Sequence, residues 1–70
     1  MTYRIGDTID PAEPPVGTVL RGKDSAGSFQ IERDRKGWFV QGTHTRISWR
    51  AALSAWGPGA GNKLTVVKLP

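Results

Sequence analysis

Alternation of apolar and polar side chains marks a central segment of the chain. Phe29 and Ile31 are each followed by a polar residue, and this period of two is typical of a strand with one buried face. Residues 34–37 (DRKG) then combine an aspartate that can bond the turn through its own side chain with a glycine that tolerates positive φ. They predict a hairpin connection.

The residues after this turn predict the partner strand of the hairpin. In residues 37–42 (GWFVQG), Trp38 and Val40 fall on one face of the strand. Phe39 and Gln41 fall on the other, so we expect both faces to be partly covered.

Two further strands are predicted nearer the ends of the chain. Residues 16–22 (VGTVLRG) are rich in β-branched and apolar side chains, and the turn formers of residues 23–27 (KDSAG) follow them. Residues 64–69 (LTVVKL) form the last predicted strand, with apolar residues on both faces.

Residues 48–56 predict one short helix. Ser48 is a good N-cap residue, because its hydroxyl can accept a hydrogen bond from the first helical turn. Apolar residues then recur with the spacing i, i+3, i+4 and i+7: Trp49, Ala52, Leu53 and Trp56. Gly57 is expected to end the helix in a left-handed conformation, and Pro58 blocks its continuation.

These elements predict a small α+β domain. We expect a three-stranded antiparallel meander, a helix packed on it through Trp49, Leu53 and Trp56, and a C-terminal strand that rejoins the sheet. An SH3-like half-barrel is the alternative arrangement. The prolines of residues 1–15 predict an extended acidic leader, which precedes a single domain over residues 16–70.

Composition narrows the class of protein. A chain of 70 residues holds one domain at most, and its three tryptophans and 37% hydrophobic content exceed what disordered chains carry. It has no cysteine, which excludes disulfides and Cys-based zinc sites. Residues 1–10 contain no apolar run of the length that a signal peptide needs, and no segment has about 20 apolar residues. We therefore expect neither a signal peptide nor membrane association. The expected location is the cytoplasm, with a packaged particle as the alternative.

Charge is distributed unevenly along the chain. Residues 1–15 carry one basic and three acidic side chains, for a net charge of −2, whereas residues 16–70 carry nine and three, for +6. Basic residues of the body and one aromatic residue that could stack on a base are candidate contacts for nucleic acid or another partner: Arg21, Lys23, Arg33, Arg35, Lys36, Phe39, Arg46 and Arg50. The competing interpretation is a charged hairpin tip that discourages strand pairing and keeps the domain soluble.

The sequence contains no pattern that predicts catalysis or a cofactor. Residues 57–63 (GPGAGNK) follow a helix, whereas a phosphate loop lies between a strand and the start of a helix. His44 is the only histidine, and a metal site needs three or four ligands. Ser48 is used as a helix cap and has no third group to complete a triad. We therefore expect neither an enzyme nor a metal or cofactor site.

The chain also resembles a pattern found in small uncharacterised proteins of actinobacteria and their phages. The matching residues are Pro15, Gly17, Thr18, Val19, Arg21, Gly37, Trp38, Ser48, Trp49, Leu53, Gly57, Pro58, Leu64, Thr65 and Val66. The resemblance spans about residues 14–67. This chain departs from the pattern at two places. The predicted loop after Gly57 is longer, and Phe29 stands where a tryptophan is more usual. The resemblance implies a phage or actinobacterial origin and carries no shared activity. For a phage gene, the expected location is the host's cytoplasm, with a virion as the alternative.

Together these features predict a non-catalytic interaction module, of the kind found among phage accessory proteins, that binds a protein partner or its own copies. A small core and unpaired strand edges favour such association. One alternative is a basic nucleic-acid-binding protein that uses the hairpin tip of residues 33–36 and the helix start. A second is a structural subunit of a viral particle, with the leader as an arm across neighbours.

Overall fold

The computed structural model describes residues 3–9, 12–24, 26–57 and 63–70. Its elements are β1 (Val19–Asp24), β2 (Gly27–Asp34), β3 (Gly37–Val40), α1 (Trp49–Trp56) and β4 (Thr65–Lys68). The strands form one antiparallel sheet in the order β3-β2-β1-β4. The predicted α+β fold is therefore confirmed, with the meander β1-β2-β3 and the last strand added beside β1. The sheet is open and does not close into a barrel.

The β2–β3 hairpin has the predicted turn chemistry. Oδ1 of Asp34 accepts hydrogen bonds from the backbone N–H groups of Lys36, at 2.8 Å, and Gly37, at 3.1 Å. Gly37 has a φ of 139°, a conformation that residues with a Cβ rarely adopt. The turn fixes the register, which places Ile31 opposite Val40.

The first strand begins and ends later than the predicted 16–22. β1 continues through Lys23 and Asp24, because Gly22 lies opposite Phe29 and does not end the pairing. A Cβ atom on Gly22 would lie 2.5 Å from Cζ of Phe29, so the aromatic ring occupies the space that the glycine leaves. The turn predicted over residues 23–27 is correspondingly shorter.

The helix forms where the sequence predicts it and packs on one face of the sheet. Oγ of Ser48 accepts a hydrogen bond from the backbone N–H of Ala51 at 3.2 Å, which confirms the N-cap. Ala52 is fully buried, and the Trp49 ring centroid lies 4.9 Å from that of Trp38. In the described part of the chain no helix is long and apolar enough to cross a membrane.

The predicted left-handed conformation of Gly57 is wrong. Its φ of −110° and ψ of −150° are extended. A Cβ atom there would lie 3.2 Å from the Cα and carbonyl oxygen of Leu53 and 3.2 Å from Cδ1 of Leu64. The glycine therefore allows close approach of the backbone to the core, without a positive φ. The predicted block by Pro58 lies outside the described residues.

The N-terminal segment contributes to the core. Tyr3 and Ile9 are each 5% exposed and belong to the same apolar cluster as Leu20, Trp38 and Val66. The hydroxyl of Tyr3 donates a hydrogen bond to the carbonyl of Ala12 at 2.7 Å. Sequence analysis interpreted residues 1–15 as an extended leader, because Pro11, Pro14 and Pro15 oppose regular structure, and did not identify these core residues.

Both edges of the sheet are partly covered by the chain itself. Along β4, the N–H of Gly6 donates to the carbonyl of Val66, and the N–H of Val66 donates to the carbonyl of Asp7, both at 2.8 Å. Along β3, Trp38 and Ile47 exchange two backbone hydrogen bonds, of 2.8 and 2.9 Å. These groups are therefore unavailable to a strand from another molecule.

Candidate nucleic-acid interface

The two faces of the sheet carry different chemistry. One face, here called the core face, contains Leu20, Ile31, Trp38 and Val66, all fully buried. Side chains alternate across a strand, so the residues between these point to the opposite side, here called the outer face. By register, the outer face includes Arg21, Lys23, Ser28, Gln30, Glu32, Phe39, Thr65 and Lys68.

A shallow depression on the outer face gathers cations from two parts of the chain. It has a volume of about 430 Å³ and is lined by Arg21, Gly22, Lys23, Ser28, Lys63 and Thr65. Arg21 lies opposite Thr65 in the β1–β4 pairing, and Lys63 precedes Thr65 by two residues. Continuation of that antiparallel register brings Lys63 across from Lys23. We call this site the basic depression.

The cations of the basic depression are available to a ligand. Arg21, Lys23 and Lys63 are exposed, and none of them forms an ion pair with a described carboxylate. Ser28 and Thr65 line the same depression, and each carries a hydroxyl group that can donate a hydrogen bond. Three positive charges with hydroxyl donors are suited to the oxygens of a phosphate group.

A second depression adjoins the first on the side of β3. It has a volume of about 450 Å³, and its lining includes Arg21 and Ser28, which it shares with the basic depression. Gln30 and Gln41 supply amide groups there. Arg21 thus lies between two concave regions, and an extended ligand can follow the surface from β4 towards β3.

Arg46, which contacts the β2–β3 hairpin, is engaged within the protein. Nε of Arg46 donates a hydrogen bond to Oδ2 of Asp34 at 2.7 Å, and its guanidinium lies 3.9 Å from the ring centroid of Phe39. The Arg46 hydrogen bond lowers the pKa of Asp34 below its ordinary value, and the N–H groups of Lys36 and Gly37 lower it further, against an opposing effect of burial. Phe39 is consequently covered on one side by a cation.

Arg33 is also engaged within the protein, and by register it lies on the core face, opposite Trp38. Its Nε lies 3.5 Å from Oε2 of Glu13, and its Nη1 donates a hydrogen bond to the carbonyl of Pro14. The same Oε2 of Glu13 accepts a hydrogen bond from Nε1 of Trp38 at 2.9 Å. Arg33 therefore attaches residues 12–15 to the sheet.

The eight candidate contacts predicted from sequence fall into three groups. Arg21 and Lys23 lie in the basic depression. Three others are exposed elsewhere and form no ion pair with a described carboxylate: Arg35, Lys36 and Arg50. The remaining three make the contacts within the chain described above: Arg33, Phe39 and Arg46.

Within the basic depression, Lys63 is the cation that sequence reasoning missed. It was considered only as part of a phosphate loop, a motif that needs a following helix. The useful signal was the strand predicted to start at residue 64. Lys63 immediately precedes this strand, so it must lie close to whichever strand pairs with residues 64–69. Sequence alone did not reveal that this partner is β1.

Neither a metal site nor a known relative adds to this description. His44 is exposed, and the described residues contain no group of three or more histidine, cysteine or carboxylate side chains that could hold a metal ion. No protein-family model, curated protein or solved structure matches the chain. The resemblance to proteins of actinobacteria and their phages stays a prediction.

Proposed function

We propose that the protein is a non-catalytic interaction module that binds nucleic acid, with the basic depression contacting the phosphate backbone. One observation carries the proposal: Arg21 and Lys23 of β1 and Lys63, two residues before β4, meet in one depression without an ion pair to a described carboxylate. The net charge of +4 acts in the same direction, because it attracts polyanions at long range.

Phosphate contacts of this kind give affinity without sequence readout. Each cation that neutralises a phosphate releases a counterion, so the logarithm of the binding constant falls linearly with the logarithm of the salt concentration. Three contacts correspond to a slope of roughly −2 to −3. The mode expected is weak, salt-sensitive binding that positions the protein on its partner.

The other functions expected from the sequence receive less support from this fold. Self-association was favoured by unpaired strand edges, but residues 6–9 and Ile47 occupy much of the backbone at these edges. A particle subunit was expected to use the leader as an arm, but Tyr3 and Ile9 are buried in the protein's own core. A protein partner remains the alternative to nucleic acid.

The test compares two double variants with the same change of charge. Lys23→Gln with Lys63→Gln removes two cations from the basic depression, and Arg35→Gln with Lys36→Gln removes two from the hairpin tip. Binding of fluorescent DNA and RNA is measured by anisotropy between about 50 and 200 mM salt. We expect the first variant to lose roughly tenfold in affinity at low salt and its salt slope to shrink by about 1.5 to 2. The second should lose much less.

The comparison separates a site from a general effect of charge. Equal losses in the two double variants would show that only net charge matters and that the depression is not the site. Absence of binding by the unmodified protein at about 50 mM salt would overturn the proposal and favour a protein partner. Circular dichroism on each variant confirms that folding is intact.

A further inference from the structure

The contact between Arg46 and Phe39 places a guanidinium over an aromatic ring on the outer face. Phe39 lies on the outer face because its neighbour Trp38 lies on the core face. Its ring is covered by the Arg46 guanidinium at 3.9 Å, and Asp34 holds Nε of that guanidinium at 2.7 Å. Asp34 is itself fixed by two backbone N–H groups of the turn. The plane of the guanidinium is thus held in place before any ligand arrives.

The charge of Arg46 is compensated, which changes what this side chain offers a ligand. The Asp34 carboxylate neutralises the guanidinium and repels a phosphate, so Arg46 is a poorer phosphate contact than the cations of the basic depression. The side chain is nevertheless 26% exposed. The part of a paired guanidinium that still binds strongly is its flat face, which stacks on aromatic rings and on nucleic-acid bases.

The position of this surface relative to the basic depression suits an extended chain. Phe39 lies opposite Glu32, and Glu32 lies opposite Val19, two residues before Arg21. Phe39 and Arg21 are thus two strand spacings apart across the sheet and two residues apart along the strand direction. Together these offsets put their Cα atoms roughly 12 Å apart. A ligand with its phosphates at Arg21 can therefore place a nearby base against Arg46.

From these observations we propose that Arg46, supported by Phe39, is a base-stacking platform, and that the ligand of the outer face is single-stranded nucleic acid. The inference rests on the proposed function and names its partner class. Bases of a duplex are paired and stacked on one another, so they offer no free face to the platform. A single strand can turn a base out and stack it on the guanidinium.

The experiment measures the affinity for three ligands of equal length: a single-stranded oligonucleotide, its duplex, and an abasic strand that keeps the phosphates but has no bases. The unmodified protein should bind the single strand at least about fivefold more tightly than the abasic strand, which is the lower end of the effect of one stacked base. It should also bind the single strand more tightly than the duplex.

Arg46→Lys is the informative variant, because lysine keeps the charge and loses the plane. We expect it to lower affinity for the single strand to the level of the abasic strand, and to leave the abasic affinity unchanged. Phe39→Leu should act in the same direction, because the guanidinium loses the ring beneath it. A merely structural role for Arg46 would weaken all three ligands together, so the abasic strand serves as the internal control.

Each outcome has a clear meaning. Equal binding of single strand and abasic strand by the unmodified protein, or equal loss for both in Arg46→Lys, overturns the platform and leaves the phosphate site standing. Failure to bind any of the three ligands overturns the proposed function and this inference together. Urea unfolding of both variants shows whether the hairpin remains folded.

Discussion

The core face and the outer face of the sheet are built from alternating residues of the same strands. Leu20, Ile31 and Trp38 are completely buried on one side, whereas Arg21, one residue after Leu20, is exposed on the other. Stability depends mainly on apolar area removed from water, and nucleic-acid affinity depends on accessible charge. Neighbouring residues are therefore expected to control different properties of the protein.

The outer face itself has two contrasting ends. At the hairpin end, Arg46 is paired with Asp34 on the turn that connects β2 to β3. In the basic depression, Arg21, Lys23 and Lys63 meet without a described acidic partner. The cluster in the basic depression forms only when β4 pairs with β1.

The largest expected difference between the faces comes from adjacent aromatic residues. Trp38→Ala removes a fully buried ring and the Nε1 donor to Glu13, and should lower the free energy of unfolding by about 3 to 5 kcal/mol. Phe39→Ala on the half-buried outer side should cost about 1 kcal/mol. Urea unfolding followed by circular dichroism measures both. Similar losses at the two positions would contradict the assignment of the faces.

Much of the fold could be predicted from the sequence because its signals are local. The alternation around Ile31, the Asp34 side chain in the turn and the Ser48 cap each depend on residues within one element. Strand and helix periods and capping chemistry act over a few residues, so they can be recognised without knowledge of the tertiary structure.

The parts that sequence analysis missed depend on distant residues. Tyr3 and Ile9 enter the core because residues 6–9 pair with β4, and nothing local specifies that partner. At Gly57, a Cβ atom would lie 3.2 Å from Cδ1 of Leu64, a residue seven positions further along the chain. In the candidate site, Arg21 and Lys23 were predicted as contacts from the sequence. Their proximity to Lys63 could not be predicted, because it depends on the pairing of β1 with β4.

A smaller effect, with the opposite sign, is expected from a polar group in the core. Thr18 is fully buried, and its hydroxyl has no hydrogen-bond partner among the described residues. An unsatisfied buried hydroxyl costs free energy, so Thr18→Val, which has a similar shape, should raise the free energy of unfolding by about 1 kcal/mol. Chemical denaturation measures the change.

The matched control for that change lies on the outer face. Thr65→Val alters a half-buried residue that lines the basic depression, and should leave stability within about 0.5 kcal/mol. It should weaken nucleic-acid binding, because one hydroxyl donor is lost, whereas Thr18→Val should not. A loss of stability in Thr18→Val would indicate that its hydroxyl is hydrogen-bonded after all.

The smallest expected effect is a dependence of stability on pH that arises from Asp34, at the hairpin end of the outer face. The pKa of Asp34 is lower in the folded protein than its ordinary value of 3.8, chiefly because of the hydrogen bond from Arg46. The folded state therefore favours the ionised carboxylate, so this contribution to stability is present above pH 3.8. It is lost as the pH falls through the folded pKa.

Asp34→Asn isolates that contribution, because the amide oxygen can still accept the turn hydrogen bonds from Lys36 and Gly37 while the charge is removed. The unmodified protein should be the more stable at neutral pH, and its advantage should shrink as the pH falls below the ordinary pKa, as measured by thermal unfolding of both proteins across the acid range. A difference in melting temperature that does not change with pH would show that the Asp34–Arg46 ion pair adds nothing to stability. In that case the guanidinium is held over Phe39 by the ring alone, and the hairpin end of the outer face needs no charge compensation to keep its shape.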